Sequence, residues 1–90
     1  MSRVRLFPLR EYIEAALRQA EYERDEDAVV IACVSGASGF FAQGDTFEEA
    51  RENLRDVIEG NVLLALQLGV RIPIVEGVTI EERDVEVVAA

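Results

Sequence analysis

Between Gly44 and Gly69 the sequence specifies one long helix, and the rest of the chain has to be arranged to cover it. Thr46 followed three residues later by Glu49 reads as a capping box, in which each side chain satisfies a backbone N–H at the first helical turn. From there Phe47, Ala50, Leu54, Val57, Ile58, Asn61, Leu64 (or Ala65) and Leu68 recur at three- and four-residue steps, the period of one helix face. Such a face requires a sheet or a second helix against it. Glu48, Arg51, Glu52, Arg55, Asp56 and Glu59 fall off the stripe, with Glu48–Arg51, Glu52–Arg55 and Arg55–Glu59 spaced for weak surface pairing. Gly69 supplies a left-handed stop.

The second half of this helix is unusual. Val62-Leu63-Leu64-Ala65-Leu66-Gln67-Leu68 is apolar nearly all round, whereas a surface helix keeps a polar side. Val62, Leu63 and Leu66 lie away from the stripe of the first half, so either the first helix or the tail covers them or the chain self-associates. The reading favours a homo-oligomer with Val62, Leu63 and Leu66 at its interface, because a small core and exposed apolar surface both push that way. Gly60, inside the helix, costs about 1 kcal/mol relative to alanine, which marks a close backbone approach or a tolerated defect.

Upstream, Pro8 suits a first helical turn, and Leu9, Tyr12, Ile13, Ala16, Leu17 and Ala20 follow at helical spacing. This helix ends near Ala20, with Glu21-Tyr22-Glu23-Arg24 as a short polar strand, or it runs on through Tyr22. Asp25-Glu26-Asp27 is a turn. Ala28 to Val34 is a β-branched apolar run of strand length, the type buried on both faces at the centre of a sheet. Ser35-Gly36-Ala37-Ser38-Gly39 turns, and Phe40-Phe41-Ala42-Gln43 returns as a third strand. Phe40 and Phe41 must face opposite sides, so one enters the core and the other is exposed, which makes Phe41 a candidate contact residue beside the turn. After Gly69, Pro73 bars a central strand and favours an extended edge or connection, and Glu76-Gly77 turns. Val78 to Val88 alternates enough for one last strand, with the closing alanines frayed. The expected order is α-β-β-β-α-β in one domain over residues 1–90: an α+β fold with an antiparallel three-stranded meander.

Composition narrows the chemistry. With no histidine and a single cysteine in 90 residues, His-based acid–base catalysis, Cys–His nucleophiles and the common zinc sites are excluded or nearly so. Cys33, set in an apolar run, has no internal disulfide partner and fits a reducing cytoplasm. The remaining catalytic candidate is Asp25, Glu26 and Asp27, with or without Glu23, as a magnesium site. Adjacent turn acids point in different directions, and a solvated hairpin is the plainer reading. Gly36 and Gly39 join two strands and lack the helix start and lysine of a phosphate loop. No cofactor and no catalytic residue is therefore assigned. The net charge of −9 disfavours a phosphate backbone as ligand; it suits a basic protein partner, or serves solubility alone. All nine basic residues are arginine, and Arg3, Arg5 and Arg10 stand in a first decad without acids, so the other eighty residues carry six bases against eighteen acids. No export signal precedes Pro8, and no apolar run approaches the ~20 residues of a membrane span.

Residues 42–59, Ala42-Gln43-Gly44-Asp45-Thr46-Phe47-Glu48-Glu49-Ala50-Arg51-Glu52-Asn53-Leu54 and then Val57-Ile58-Glu59, resemble the signature of the HicB antitoxin family. Tyr12-Ile13, Ala15-Ala16, Tyr22-Glu23, Leu63-Leu64, Gly69, Ile72-Pro73 and Gly77 are similar to a HicB-like subgroup with an extra N-terminal helix, so that the resemblance spans roughly residues 9–80. Ser35-Gly36 stands where the family usually has Pro-Gly. The resemblance implies a β-β-β-α-β domain like the first part of a ribonuclease H fold, without its catalytic acids, and a structural role for Gly44, Asp45, Thr46 and Glu49. It also implies a non-enzymatic module that covers the active surface of a small basic RNA-cleaving toxin, HicA. Operator-binding segments that family members carry at the C-terminus have no counterpart before residue 90, so no direct nucleic-acid binding is expected. Asp25, Glu26, Asp27 and Phe41 are the candidate partner-binding residues.

Overall fold

A computed structural model describes the backbone at residues 2–78 and 81–85 and the side chains at residues 7–78. The elements follow as β1 (Ser2–Leu6), α1 (Leu9–Arg18), β2 (Ala20–Arg24), β3 (Val30–Val34), β4 (Phe41–Gly44), α2 (Phe47–Leu68) and β5 (Glu81–Val85). Strands β2, β3 and β4 form an antiparallel sheet in that order, while β1 and β5 pair antiparallel in a separate ribbon. The α+β class and the helix, meander, long-helix order agree with the sequence. Strand β1 was not anticipated, although Ser2-Arg3-Val4-Arg5-Leu6 has the two-residue alternation of a strand. Among the described residues the last strand is Glu81–Val85, and the expectations for Thr79, Ile80 and residues 86–90 lie outside them.

Helix α1 buries Tyr12, Ile13, Ala16 and Leu17 of the face read from the sequence, together with Ala15, while Leu9 and Ala20 are half-buried. It stops at Gln19, whose N–H reaches the carbonyls of Ala15 and Ala16 at 3.3 and 3.1 Å, and Ala20 already belongs to β2. The helix therefore does not continue through Tyr22. Helix α2 lies along β4 and β3, with α1 beside it. Its stop is as expected: Gly69 is left-handed at φ 68°, and the Val70 N–H donates to the carbonyl of Ala65 at 3.0 Å.

The buried face of α2 is Ala50, Leu54, Ile58, Val62 and Ala65. Ala50, Leu54, Ile58 and Ala65 belong to the stripe read from the sequence, and Val62 stands in place of its other members, Phe47, Val57, Asn61, Leu64 and Leu68. Of those, Phe47, Asn61, Leu64 and Leu68 are exposed and Val57 is half-buried. The difference arises because both candidate faces of the Val62–Leu68 run are apolar, and the packing partners decide between them. Here Val62 joins the core cluster to which α1, β3 and the extended segment with Ile72 and Val75 also contribute. Gly60 has open space where a Cβ would stand, so it is a tolerated defect.

Strand β3 is central, but it is not buried on both faces: Val30, Ala32 and Val34 are buried, while Ile31 and Cys33 are half-buried. Both helices pack on one side of the sheet, leaving the other side uncovered by any described element. The segment after α2 forms no strand, as Pro73 requires, and is held to α1 through Tyr12 and Gln19.

Candidate functional site

The turn between β2 and β3 is built by Asp25. Its Oδ1 accepts hydrogen bonds from the N–H groups of Asp27 and Val29, each at 2.9 Å, and its own N–H donates to the Val29 carbonyl at 2.9 Å. The Ala28 N–H donates to the Asp25 carbonyl at 3.0 Å, and Ala28 itself takes φ 63°, a left-handed conformation that closes the loop. Asp25 is thus committed to the backbone, whereas Glu26 and Asp27 project into solvent. Among the described residues no group of three His, Cys, Asp or Glu side chains is placed to hold a metal ion.

Alternation along the strands defines the uncovered sheet face. Phe41 stands opposite Cys33, and Cys33 opposite Glu21; two residues along, Gln43 stands opposite Ile31, and Ile31 opposite Glu23. These six residues share one side because strand residues two apart point the same way. Phe41 is 64% exposed there, while Phe40 is 2% exposed in the core, stacked edge-to-face on Tyr12. The face therefore has an apolar centre, Phe41, Cys33 and Ile31, bounded on the β2 edge by the carboxylates of Glu21 and Glu23. A hollow of about 240 Å³ is lined by Ile31, Phe41, Ala42 and Gln43. Glu21, Ile31 and Gln43 were not singled out from the sequence, Glu23 was considered only with the Asp25–Asp27 trio, and Cys33 only as an apolar residue of its strand. The alternation of β3 sets its odd-numbered residues on one side, and only the placement of both helices on the other side leaves them facing outward.

Phe41 and the Asp25–Asp27 turn are on the same sheet but not adjacent. The row of Phe41 and Cys33 lies four residues from that of Val29, about 13 Å at the rise of a strand.

The motif at residues 44–49 orients this face. Gly44 is buried, and a Cβ added to it would stand 2.5 Å from the Ala50 nitrogen and 2.9 Å from the carbonyl carbon of Glu49, so only glycine lets β4 end against the first turn of α2. Thr46 Oγ1 accepts from the Glu49 N–H at 3.0 Å. The reciprocal half of the box is displaced by one residue: Glu49 Oε1 accepts from the Asp45 N–H at 3.3 Å, not from that of Thr46. Asn53 Nδ2 donates to the Gln43 carbonyl at 2.7 Å, joining helix to strand again. Together these contacts set the roll of β4, and hence the outward direction of Phe41. Phe47, on the opposite side, meets Tyr22 edge-on at 5.9 Å and carries the Arg24 guanidinium 5.2 Å over its ring. Of the expected surface pairs, Glu52–Arg55 is present at 3.9 Å.

The residues assigned from sequence to an oligomer interface differ in exposure within one chain. Val62 is 1% exposed in the core, Leu66 is half-buried against it, and Leu63 alone is exposed. Val62 is thus part of the core within one chain.

A three-stranded meander with two helices on one face and an acid-edged apolar surface on the other makes up a small α+β domain. The chain belongs to the UPF0150-like family, whose model matches residues 11–73 and which is related to HicB-like antitoxins. No curated protein matches it. Among solved structures it is similar to the crystal structure of TTHA0281 from Thermus thermophilus, with 26% identity and a TM-score of 0.69 over 87% of this chain and 94% of that one. Among the described residues no helix is long and apolar enough to cross a membrane.

Proposed function

We propose that this chain is a HicB-like antitoxin or regulatory interaction module of the cytoplasm, which binds a small basic RNA-cleaving toxin of the HicA type and occludes it. The observation that carries this reading is the uncovered sheet face, where an apolar centre at Phe41, Cys33 and Ile31 lies beside Glu21 and Glu23. An apolar patch supplies affinity when its water is displaced, and the acids beside it steer a cationic partner and reject an anionic one. Glu26 and Asp27, exposed at the end of the same sheet, extend the acidic field. The module acts by covering its partner and has no catalysis, cofactor or nucleic-acid contact of its own.

The competing reading from another class is a magnesium-dependent nuclease using Asp25, Glu26 and Asp27. The commitment of Asp25 Oδ1 to two backbone N–H groups supports a turn-building role over a metal-binding one. A third reading keeps the fold and removes the toxin: an orphan HicB-like domain that only self-associates. Co-expression with the protein encoded beside this chain separates the three. A mixed complex by size-exclusion chromatography with light scattering, in which the partner's RNA cleavage is blocked, is expected. Magnesium-dependent cleavage by this chain alone, lost when the trio is replaced by asparagine and glutamine, would establish the nuclease instead.

A further inference from the structure

Five of the seven large apolar side chains exposed among the described residues, Leu63, Leu64, Leu68, Val70 and Ile74, fall within one short stretch at the end of α2 and just beyond it. From Gly60 to Val75 this stretch contains no acid and one base, Arg71, in a chain of net charge −9. Leu64 and Leu68, 53% and 65% exposed, stand one turn apart on α2. With Val70 and Pro73 they line a groove of about 220 Å³ whose floor includes the buried Phe40. Ile74, next in the chain to Pro73, is 90% exposed. The Tyr12 hydroxyl bonded to the Pro73 carbonyl holds the Pro73 wall against α1, so the groove is preformed.

We infer that this groove is the face through which two copies of the chain associate, independently of the toxin-binding reading. Charge selects the occupant. Two copies of a chain of charge −9 repel unless they meet where neither presents acids, and the groove is such a place. A basic protein gains nothing electrostatically from a surface whose one charge is an arginine, and it is drawn instead to the Glu21 and Glu23 edge of the sheet. A twofold contact presents the same patch from both sides, so the Ile74 of each copy has an apolar groove to enter. The interface is accordingly Leu64, Leu68, Val70 and Ile74, with Leu63 on another side of the helix.

Light scattering of the chain alone, without any partner protein, tests this. The wild type is expected to show twice the 10.0 kDa of one chain. Ile74→Asp and Leu68→Glu, both at exposed positions, are each expected to halve that mass with an unchanged far-ultraviolet circular dichroism spectrum. Phe41→Glu on the sheet face is expected to leave it doubled. Ile74 packs against so little of its own chain that its replacement keeps the test valid if Leu68→Glu disturbs the helix. A monomeric wild type overturns the inference, and so does an Ile74→Asp protein that stays dimeric, or dissociation by Phe41→Glu alone. Because no toxin is present, none of these results bears on whether the sheet face binds one.

Discussion

The Tyr12 hydroxyl donates a 2.6 Å hydrogen bond to the carbonyl of Pro73, 61 residues along the chain. Pro73 cannot donate to a sheet, and the segment around it has no strand partner. Tyr12 instead ties that segment to α1, with its ring between Phe7 at 5.0 Å and Phe40 at 6.3 Å. Tyr12→Phe keeps the ring and leaves the carbonyl without this donor, and is expected to cost about 1–2 kcal/mol in a urea titration. An unchanged midpoint would show the bond to be incidental.

The same residue carries a pH dependence. Burial pushes the Tyr12 phenol up from 10.0 to about 12. Below pH 10 both folded and unfolded chains hold its proton; above that the unfolded chain releases it while the folded one retains it. Stability is therefore full below pH 10 and falls as pH rises toward 12. The chain has no lysine to confuse this window. Thermal melts between these limits should show the decline in the wild type and a smaller one in Tyr12→Phe; parallel slopes would contradict it.

Two glycines separate required from tolerated positions. Gly44→Ala sets a methyl against backbone atoms of Glu49 and Ala50, which cannot yield as a side-chain end can, and is expected to destabilise by about 1–3 kcal/mol or more. Gly60→Ala enters open space in a helix interior and is expected to stabilise by about 0.5–1 kcal/mol. Denaturant midpoints moving in the same direction would defeat this distinction.

Leu54→Ala and Ile58→Ala remove side chains buried completely between α2 and the sheet and are each expected to cost about 2–5 kcal/mol. Leu64→Ala, on the exposed side of α2, is expected to change the stability of the monomer by less than about 1 kcal/mol. Equal losses at Leu54 and Leu64, measured on monomeric protein, would restore the stripe read from sequence.

What could be read from the sequence was what local chemistry determines. Thr46 and Gly69 bound α2 because caps are local, Pro73 excluded a strand because its ring is local, and Phe40 and Phe41 split between core and solvent because alternation is local. The buried face of the first half of α2, Ala50, Leu54 and Ile58, was legible too, whereas beyond it Val62, Leu64, Ala65 and Leu68 offer apolar faces in two directions and the local sequence does not choose between them. Strand β3 was misread for a related reason: Ile31 and Cys33 look like core residues, and nothing within β3 records that both helices lie on its other side. That asymmetry exposes the acid-edged face, so most of the candidate site stayed hidden until the elements were assembled. Phe41 was identified in advance, but its neighbours Glu21 and Ile31 required the register.

The central claim is that the uncovered sheet face binds a basic RNA-cleaving partner. The most direct test is the affinity of the protein encoded beside this chain for the wild-type chain and for a triple variant, Glu21→Arg, Glu23→Arg and Phe41→Glu, measured by calorimetry. All three positions are exposed, so the fold is expected to persist by circular dichroism. The account predicts tight binding and inhibition of RNA cleavage by the wild type, and at least a hundredfold weakening, about 3 kcal/mol, in the variant. Equal affinity of the two proteins would place the contact elsewhere and contradict the account.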